Sequence, residues 1–126
     1  MYATAPTFDL SKLLIQDMIK IEKNSHSFGS PEIENMMQKS KMVEFKEKIR
    51  RGNASFELRS SGHVVGGSTV IVESNNKKLF YTGDINLRGS RLLPPADLDI
   101  GEMDMVIQKV PILRIIRCLE KILKKD

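Results

Sequence analysis

The chain has 126 residues, 40% hydrophobic and 29% charged, which is the balance of one soluble globular domain. Its net charge of +4 is compatible with a polyanionic partner but is too small to indicate one. The single cysteine, Cys118, excludes an internal disulfide and a multi-cysteine zinc site, so a metal site would need His and carboxylate ligands. No apolar run is long enough to cross a bilayer and no secretory signal pattern is present, so we expect a cytoplasmic protein without membrane association.

Two helices are predicted in the first third of the chain. The first covers residues 8–22, with Thr7 as its N-cap and Asp9 in its first turn. The second covers residues 31–41, with Ser30 as its cap. The first helix has an apolar face that is expected to dock on a core, formed by Leu10, Leu13, Leu14, Met18 and Ile21.

Two segments are basic. Residues 39–51 also contain Glu44 and Glu47, so a solvated face or linker is favoured over a nucleic-acid-binding patch. Residues 108–126 are predicted to form a basic amphipathic helix, for which core packing or partner docking is favoured over a membrane surface. Cys118 lies on or beside its apolar stripe and is interpreted as a small buried residue, not a nucleophile.

A sheet is predicted from residue 55 onward, where β-branched and aromatic residues alternate with Gly and Asn. Strands at residues 69–74 and 77–82 flank Asn75-Asn76, whose side chains tolerate the positive φ of a type I′ turn. This turn pairs Val70 with Tyr81 and places Gly67 opposite Asp84. Both strands are apolar on both faces, which predicts a sheet covered on each side. An extended loop at residues 88–99 and a short strand at residues 104–107 follow.

Two residues stand out as candidates for chemistry. His63 lies in SGHVVGGS at residues 61–68, and Asp84 ends YTGD at residues 81–84. The predicted register brings both to the same end of the sheet. An imidazole and a carboxylate are suitable metal ligands, and a carboxylate can bridge two metals. From the residues alone, a metal site and a hydrogen-bonded structural pair both remain open, the structural pair being the commoner arrangement.

Three stretches together resemble the β-CASP branch of the metallo-β-lactamase nucleases, which includes messenger-RNA 3′-end cleavage factors. YATAPTFDL at residues 2–10 resembles the family's segment in which a helix follows a strand. GHVVGGSTVIVE from residue 62 resembles its third motif, and YTGDINLRGSRLLPPAD from residue 81 resembles its fourth. The specificity lies in the ordered series, because each motif alone is weak. The resemblance predicts a partial metallo-β-lactamase-like domain at residues 1–107, with residues 108–126 left as an unaligned C-terminal helix.

The resemblance implies an α/β fold that is part of an αββα metallo-β-lactamase sandwich, with a mixed sheet and flanking helices. It also implies that His63 is the third-motif zinc ligand and that Asp84 is the carboxylate that bridges two zinc ions. Both would then be catalytic residues of a hydrolase that cleaves phosphodiester bonds in RNA. Their ligand types would equally permit manganese or iron, and only the family resemblance favours zinc.

The sequence also departs from the family pattern. The HxHxDH motif is absent, and the only other histidine, His26, is expected to be a surface turn residue. Two ligands make a poor catalytic zinc site, which normally has at least three protein ligands plus water. We therefore expect a truncated member that is inactive alone and needs a complementing polypeptide or a homo-oligomer. Because its sheet would lack neighbouring strands, we expect low stability without such a partner.

A non-catalytic module remains as the alternative, derived from the same fold and binding RNA or a protein partner. Arg88 and Arg91 follow Asp84 closely enough to contact an RNA phosphate, although exposed loop arginines are more often only solvated. Binding that survives loss of His63 and Asp84 would favour this alternative.

Overall fold

The chain divides into two compact units, Met1–Glu44 and Phe45–Asp126. The computed structural model describes residues 1–21 and 28–109, which contain two helices and seven strands in two sheets. The predicted mixed α/β composition is confirmed and is compatible with a partial α/β sandwich. Within these residues, no helix is long and apolar enough to span a membrane. His26, Cys118 and the predicted C-terminal helix from residue 110 lie outside the described residues.

The first unit combines two short parallel strands with two helices. Its elements in chain order are β1 (Tyr2–Ala3), α1 (Ala5–Ile21), α2 (Ser30–Gln38) and β2 (Lys41–Met42). β1 pairs with β2, and the Val43 amide extends this pairing by donating a hydrogen bond to the Ala3 carbonyl at 3.0 Å. The helix that follows a strand at residues 2–10, which the family resemblance implies, is therefore present.

The first helix differs from its prediction in two respects. It begins at Ala5, so Thr7 lies inside the helix and is not its N-cap, and Asp9 is beyond the first turn. The earlier start is allowed because Pro6 has a helix-compatible φ and needs no amide partner in the first turn. The Thr4 carbonyl instead accepts the Phe8 amide at 3.2 Å.

The apolar face of α1 is not buried in the described part of the chain. Phe8 is the helix's buried residue, whereas Leu14 is 66% exposed and Ile21 81% exposed. Leu10 and Leu13 are also exposed. The expectation that this face docks on a core is therefore not met here, since α2 and two two-residue strands offer little apolar surface to cover a 17-residue helix.

The second helix is confirmed, but it ends at Gln38 and its N-cap is Gly29, not Ser30. The Glu32 carboxylate accepts the Gly29 amide at 2.8 Å, which satisfies a donor that the helix itself leaves unpaired. Hydrogen bonds from the backbone amides of Gly29 and Glu32 lower the pKa of the Glu32 carboxyl.

The second unit is a five-stranded sheet in the order β3-β4-β5-β6-β7. Its strands are β3 (Lys48–Arg51), β4 (Ala54–Ser60), β5 (Ser68–Ser74), β6 (Lys77–Tyr81) and β7 (Met105–Ile107). The first four pair antiparallel in sequence order, and β7 returns to pair parallel with β6. Within residues 39–51, where a linker or solvated face was favoured, β2 and β3 form short strands. Charged side chains on a short edge strand such as β3 discourage pairing with other chains.

The predicted hairpin is confirmed residue by residue. Asn75 and Asn76 have φ of 50° and 59°, and Val70 pairs with Tyr81 as expected. The ladder ends at that pair, so Gly67 and Asp84 lie beyond the paired strands. The loop before β7 and the strand itself are also present, although the strand covers only Met105–Ile107.

The sheet is covered on one face by the segment between β6 and β7. Phe80 is fully buried, and it forms the core with Ile85, Ile100 and Met103. The other face is partly exposed within the described residues: Met105 is 55% and Ile107 is 45% exposed. The prediction that the sheet is covered on both sides is therefore correct for one side only.

A network of charged side chains links the segment between β6 and β7 to strand β4. The Arg59 guanidinium contacts the Glu57 carboxylate and donates to the Asp97 carboxylate at 3.3 Å and the Asp99 carbonyl at 3.0 Å. Lys46 contacts Asp97 at 3.1 Å. Burial alone would raise the pKa of Asp97, but hydrogen bonds from Lys46, the Asp99 amide and Arg59 outweigh that effect and lower it. The network holds the second half of the segment, around Asp97 and Asp99, beside β4.

Candidate metal-binding site

His63 lies in the tight loop that connects β4 and β5. The Ser61 amide donates to the Gly67 carbonyl at 3.0 Å, and the Gly67 amide donates to the Val64 carbonyl at 2.9 Å. These bonds close the loop at its base, where Ser61 is only 1% exposed. The His63 side chain is exposed at the tip of a loop whose backbone is constrained.

Gly62 explains why the loop takes this path. Its φ is 65°, and an added Cβ would lie 2.6 Å from the Ala96 amide nitrogen and 2.8 Å from the Asn86 carbonyl oxygen. These atoms belong to the segment after β6, whose Asn86 amide donates to the Ser61 carbonyl at 2.9 Å. The absence of a side chain at Gly62 therefore lets two backbones meet directly and fixes His63 beside the residues that follow Asp84.

Asp84 is positioned by the end of the parallel strand pair. Thr82 is fully buried, and its amide donates to the Ile107 carbonyl at 3.0 Å. Gly83 has a φ of 51°, which turns the chain away from the sheet immediately before Asp84. Because β5 and β6 are antiparallel, β6 ends at the end of the sheet where β5 begins. Asp84, after β6, and His63, before β5, therefore lie at the same end of the sheet, as the register predicts.

The electrostatics of this end centre on Asp84. Lys109 donates a hydrogen bond to the Asp84 carboxylate, with 2.8 Å between Nζ and Oδ2. This hydrogen bond, together with the charges of Lys109 and His63, lowers the pKa of Asp84 against a smaller opposing effect of desolvation. The same bond and the Asp84 charge raise the pKa of Lys109.

The described residues do not by themselves fit a catalytic zinc. Residues 1–21 and 28–109 contain no group of three His, Cys, Asp or Glu side chains that could hold a metal ion. His63 and Asp84 are two donors of suitable type, but a catalytic zinc normally requires three protein ligands. The carboxylate is also already bonded to an ammonium group. The pair can contribute to a metal site only if further ligands come from elsewhere.

Lys109 is the site residue that the sequence interpretation missed. It lies two residues beyond β7, and Ile107 pairs with Tyr81 in the parallel ladder. Parallel strands deliver their following residues to the same sheet end, so pairing the predicted strand at 104–107 with the hairpin would have placed Lys109 near Asp84. Arg88 and Arg91 are exposed on the loop, which fits both a solvated arginine and one that contacts a phosphate.

Sequence comparisons relate the chain to RNA-processing nucleases. It is 34% identical over 107 residues to an RNase J-like protein of Methanocaldococcus jannaschii, covering 84% of this chain and 25% of that protein. It is 28% identical over 97 residues to a ribonuclease of Thermus thermophilus, covering 77% and 22%. It is also 28% identical over 109 residues to cleavage and polyadenylation specificity factor subunit 3-I of Arabidopsis thaliana, covering 84% and 16%. No protein-family model matches the chain.

The matches indicate the class: the chain is similar to RNA-processing nucleases over about four fifths of its length. This similarity is consistent with a fragment of the β-CASP metallo-β-lactamase family, the family that the three motifs resemble. The chain spans about a quarter of the length of the RNase J-like relative.

Proposed function

We propose that this chain is one part of a zinc-dependent RNA-processing nuclease and that it supplies two of the metal ligands, His63 and Asp84. The observation that carries the proposal is their convergence at one sheet end, in motifs that resemble the family's third and fourth. Gly62 and the Thr82 contact to Ile107 fix the backbone on which the two ligands are carried. The remaining ligands would come from polypeptide outside these 126 residues.

The expected reaction is hydrolysis of a phosphodiester bond in RNA, in which bound zinc would supply Lewis acidity. Because the described residues hold too few ligands for that metal, we expect the 126-residue chain to show no nuclease activity by itself. A complementing polypeptide, or a second copy of this chain, would be needed for catalysis.

A chimera provides the direct test. The matched residues of the RNase J-like relative would be replaced by this chain's residues, and cleavage of a fluorescently labelled RNA would be measured with added Zn²⁺. We expect cleavage by the chimera and a loss of at least about 100-fold after His63→Ala or Asp84→Ala, the range that removal of a major transition-state contact produces.

Asp104→Asn serves as the matched control, because Asp104 is also an exposed, lysine-paired carboxylate but precedes β7 at the opposite sheet end. This variant is expected to keep full activity. Undiminished cleavage by His63→Ala and Asp84→Ala chimeras would refute the assignment of these two ligands.

A second candidate function is a non-catalytic module that binds a protein partner or RNA. The observation in its favour is the partly exposed apolar sheet face near the end of β7, where Met105 and Ile107 are each about half exposed. If this function is the correct one, binding to the full-length relative or to RNA would be unchanged by His63→Ala and Asp84→Ala, and weakened by Met105→Asp, which places a negative charge on the apolar face.

A further inference from the structure

We propose that the five-stranded sheet carries a binding site for a phosphate group over Ser55, beside the β3–β4 and β5–β6 turns. Ser55 lies near the start of β4 and His63 lies beyond its end, so the site is at the sheet end opposite to the candidate metal ligands. It does not depend on His63 or Asp84, and either proposal can fail while the other stands.

The sheet register aligns four polar side chains on one face. Arg50 on β3 pairs with Ser55 on β4, and Ser55 pairs with Glu73 on β5. Glu73 in turn pairs with Lys78 on β6. Residues that lie directly opposite each other in a ladder point to the same face of the sheet, so the four side chains form one row. The Ser55 hydroxyl therefore lies in a row that has a cation at each end.

Ser55 is the member of the row that indicates a ligand. It is only 8% exposed, and its hydroxyl has no hydrogen-bond partner in the part of the chain that the structure describes. It lines a cavity of about 250 Å³ together with Lys48, Arg50 and the Asn75-Asn76 turn. Buried polar groups are nearly always paired, because an unpaired one keeps its full desolvation cost. A ligand with acceptor oxygens in this cavity would satisfy the hydroxyl.

The charges around Ser55 favour an anion. Lys48 contacts the Glu73 carboxylate at 2.5 Å and neutralises it. Among the described residues no carboxylate forms an ion pair with Arg50 or Lys78, so two positive charges remain along the row. The hydrogen bond and charge of Lys48 lower the pKa of the Glu73 carboxyl, and the charges of Lys78 and Arg50 add to this effect. The carboxylate thus lies in a positive potential.

A phosphate group matches these donors. A guanidinium presents several N–H donors in a planar fork and a hydroxyl presents one, and the oxygens of one phosphate can accept from both. The edge position of β3 accounts for charged side chains that discourage pairing with other chains, but it does not account for the buried hydroxyl beside Arg50. The sources of such a group are free inorganic phosphate and the backbone of a nucleic-acid strand.

The spacing of the row distinguishes the two sources. Arg50 and Lys78 are three strand spacings apart, which is roughly 14 Å. A single phosphate ion over Ser55 would therefore contact the Arg50 side of the row. A strand that lies across the sheet would bring successive phosphates to both cations.

The test is a titration of the full 126-residue chain with sodium phosphate at constant ionic strength, followed by NMR of the backbone amides. We expect the amide signals of Ser55 and the β3–β4 turn to shift. Ser55→Ala should weaken binding about two- to tenfold and Arg50→Met about tenfold, because they remove a neutral and a charged hydrogen bond. Arg51→Met is the matched control: it removes the same charge from the opposite sheet face and should leave the affinity unchanged.

Urea unfolding without phosphate separates a ligand site from a structural role of the hydroxyl. Ser55→Ala should have a urea midpoint no lower than that of the unmodified chain, because it removes a buried donor that lacks a partner. A clearly lower midpoint would show that the Ser55 hydroxyl stabilises the fold and would contradict the proposal.

Fluorescence anisotropy with a labelled uridine oligonucleotide identifies the source. If a nucleic-acid strand is the ligand, Lys78→Met weakens oligonucleotide binding but not binding of inorganic phosphate. Binding of inorganic phosphate alone would make the site one for the free ion. The proposal is overturned if phosphate shifts no amide near Ser55, or if Arg51→Met weakens binding as much as Arg50→Met, since net charge alone would then account for it.

Discussion

Replacing Gly62 with alanine tests the contact that fixes the His63 loop. The φ of 65° is left-handed, which costs a residue with a side chain about 1–2 kcal/mol. The new Cβ would meet backbone atoms at 2.6–2.8 Å, and relief of such overpacking typically costs about 1–3 kcal/mol. The two terms together predict that Gly62→Ala lowers the free energy of unfolding by about 2–5 kcal/mol, a large part of the stability of a small domain.

The assay is urea unfolding followed by circular dichroism, with Gly52→Ala as the control. Gly52 has a similar φ of 56°, but nothing lies within 4 Å of the position its Cβ would take. Gly52→Ala should therefore show the conformational cost alone, about 1–2 kcal/mol. If Gly62→Ala loses no more stability than Gly52→Ala, the close approach of the two backbones at Gly62 does not exist in solution.

Three further predictions concern the same unit. Arg59→Met should lower the free energy of unfolding by about 1–3 kcal/mol, because Glu57 and Asp97 lose a charged hydrogen-bond donor; an unchanged urea midpoint would contradict this. Asp97 has a lowered pKa, so its stabilising effect is present above the unfolded pKa of about 3.9 and is lost as the pH falls through the lower folded value. Asp97→Asn should therefore be less stable than the unmodified chain at pH 7, with a difference that shrinks below about pH 4, and a pH-independent difference would contradict the ion-pair explanation. Asn76→Val should cost about 1–2 kcal/mol because its φ is 59°, whereas Asn76→Gly should stay within about 0.5 kcal/mol, and equal losses would argue against the type I′ turn.

Local signals explain which elements the sequence predicts well. The β5–β6 hairpin is specified by its own turn, because Asn75 and Asn76 accept positive φ and fix the register of the strands beside them. That register is also why the convergence of His63 and Asp84 could be predicted. In contrast, β2 and β3 are short and rich in Lys and Arg, so their strand conformation depends on partners elsewhere in the chain.

Non-local pairing explains what the sequence did not predict at the candidate site. Lys109 reaches Asp84 only because β7 crosses back to pair parallel with β6, and no residue pattern near Lys109 indicates that partner. Similarly, the apolar stripe of α1 predicts that one helix face needs cover, but the stripe does not specify which polypeptide provides it. The family motifs indicate the candidate site because they place His63 and Asp84, which are far apart in the sequence, in one ordered series of segments.

The most direct test of the central claim is whether the side chains at His63 and Asp84 can ligate one metal ion together. In a Cys118→Ser background, His63→Cys and Asp84→Cys would be combined, and Co²⁺ binding would be followed by thiolate-to-metal absorption. The account predicts that the double variant binds Co²⁺ at least about tenfold more tightly than either single variant, because two converging thiolates chelate the ion. Equal affinity of the double and single variants would contradict the convergence of the two residues, and with it the proposed metal site.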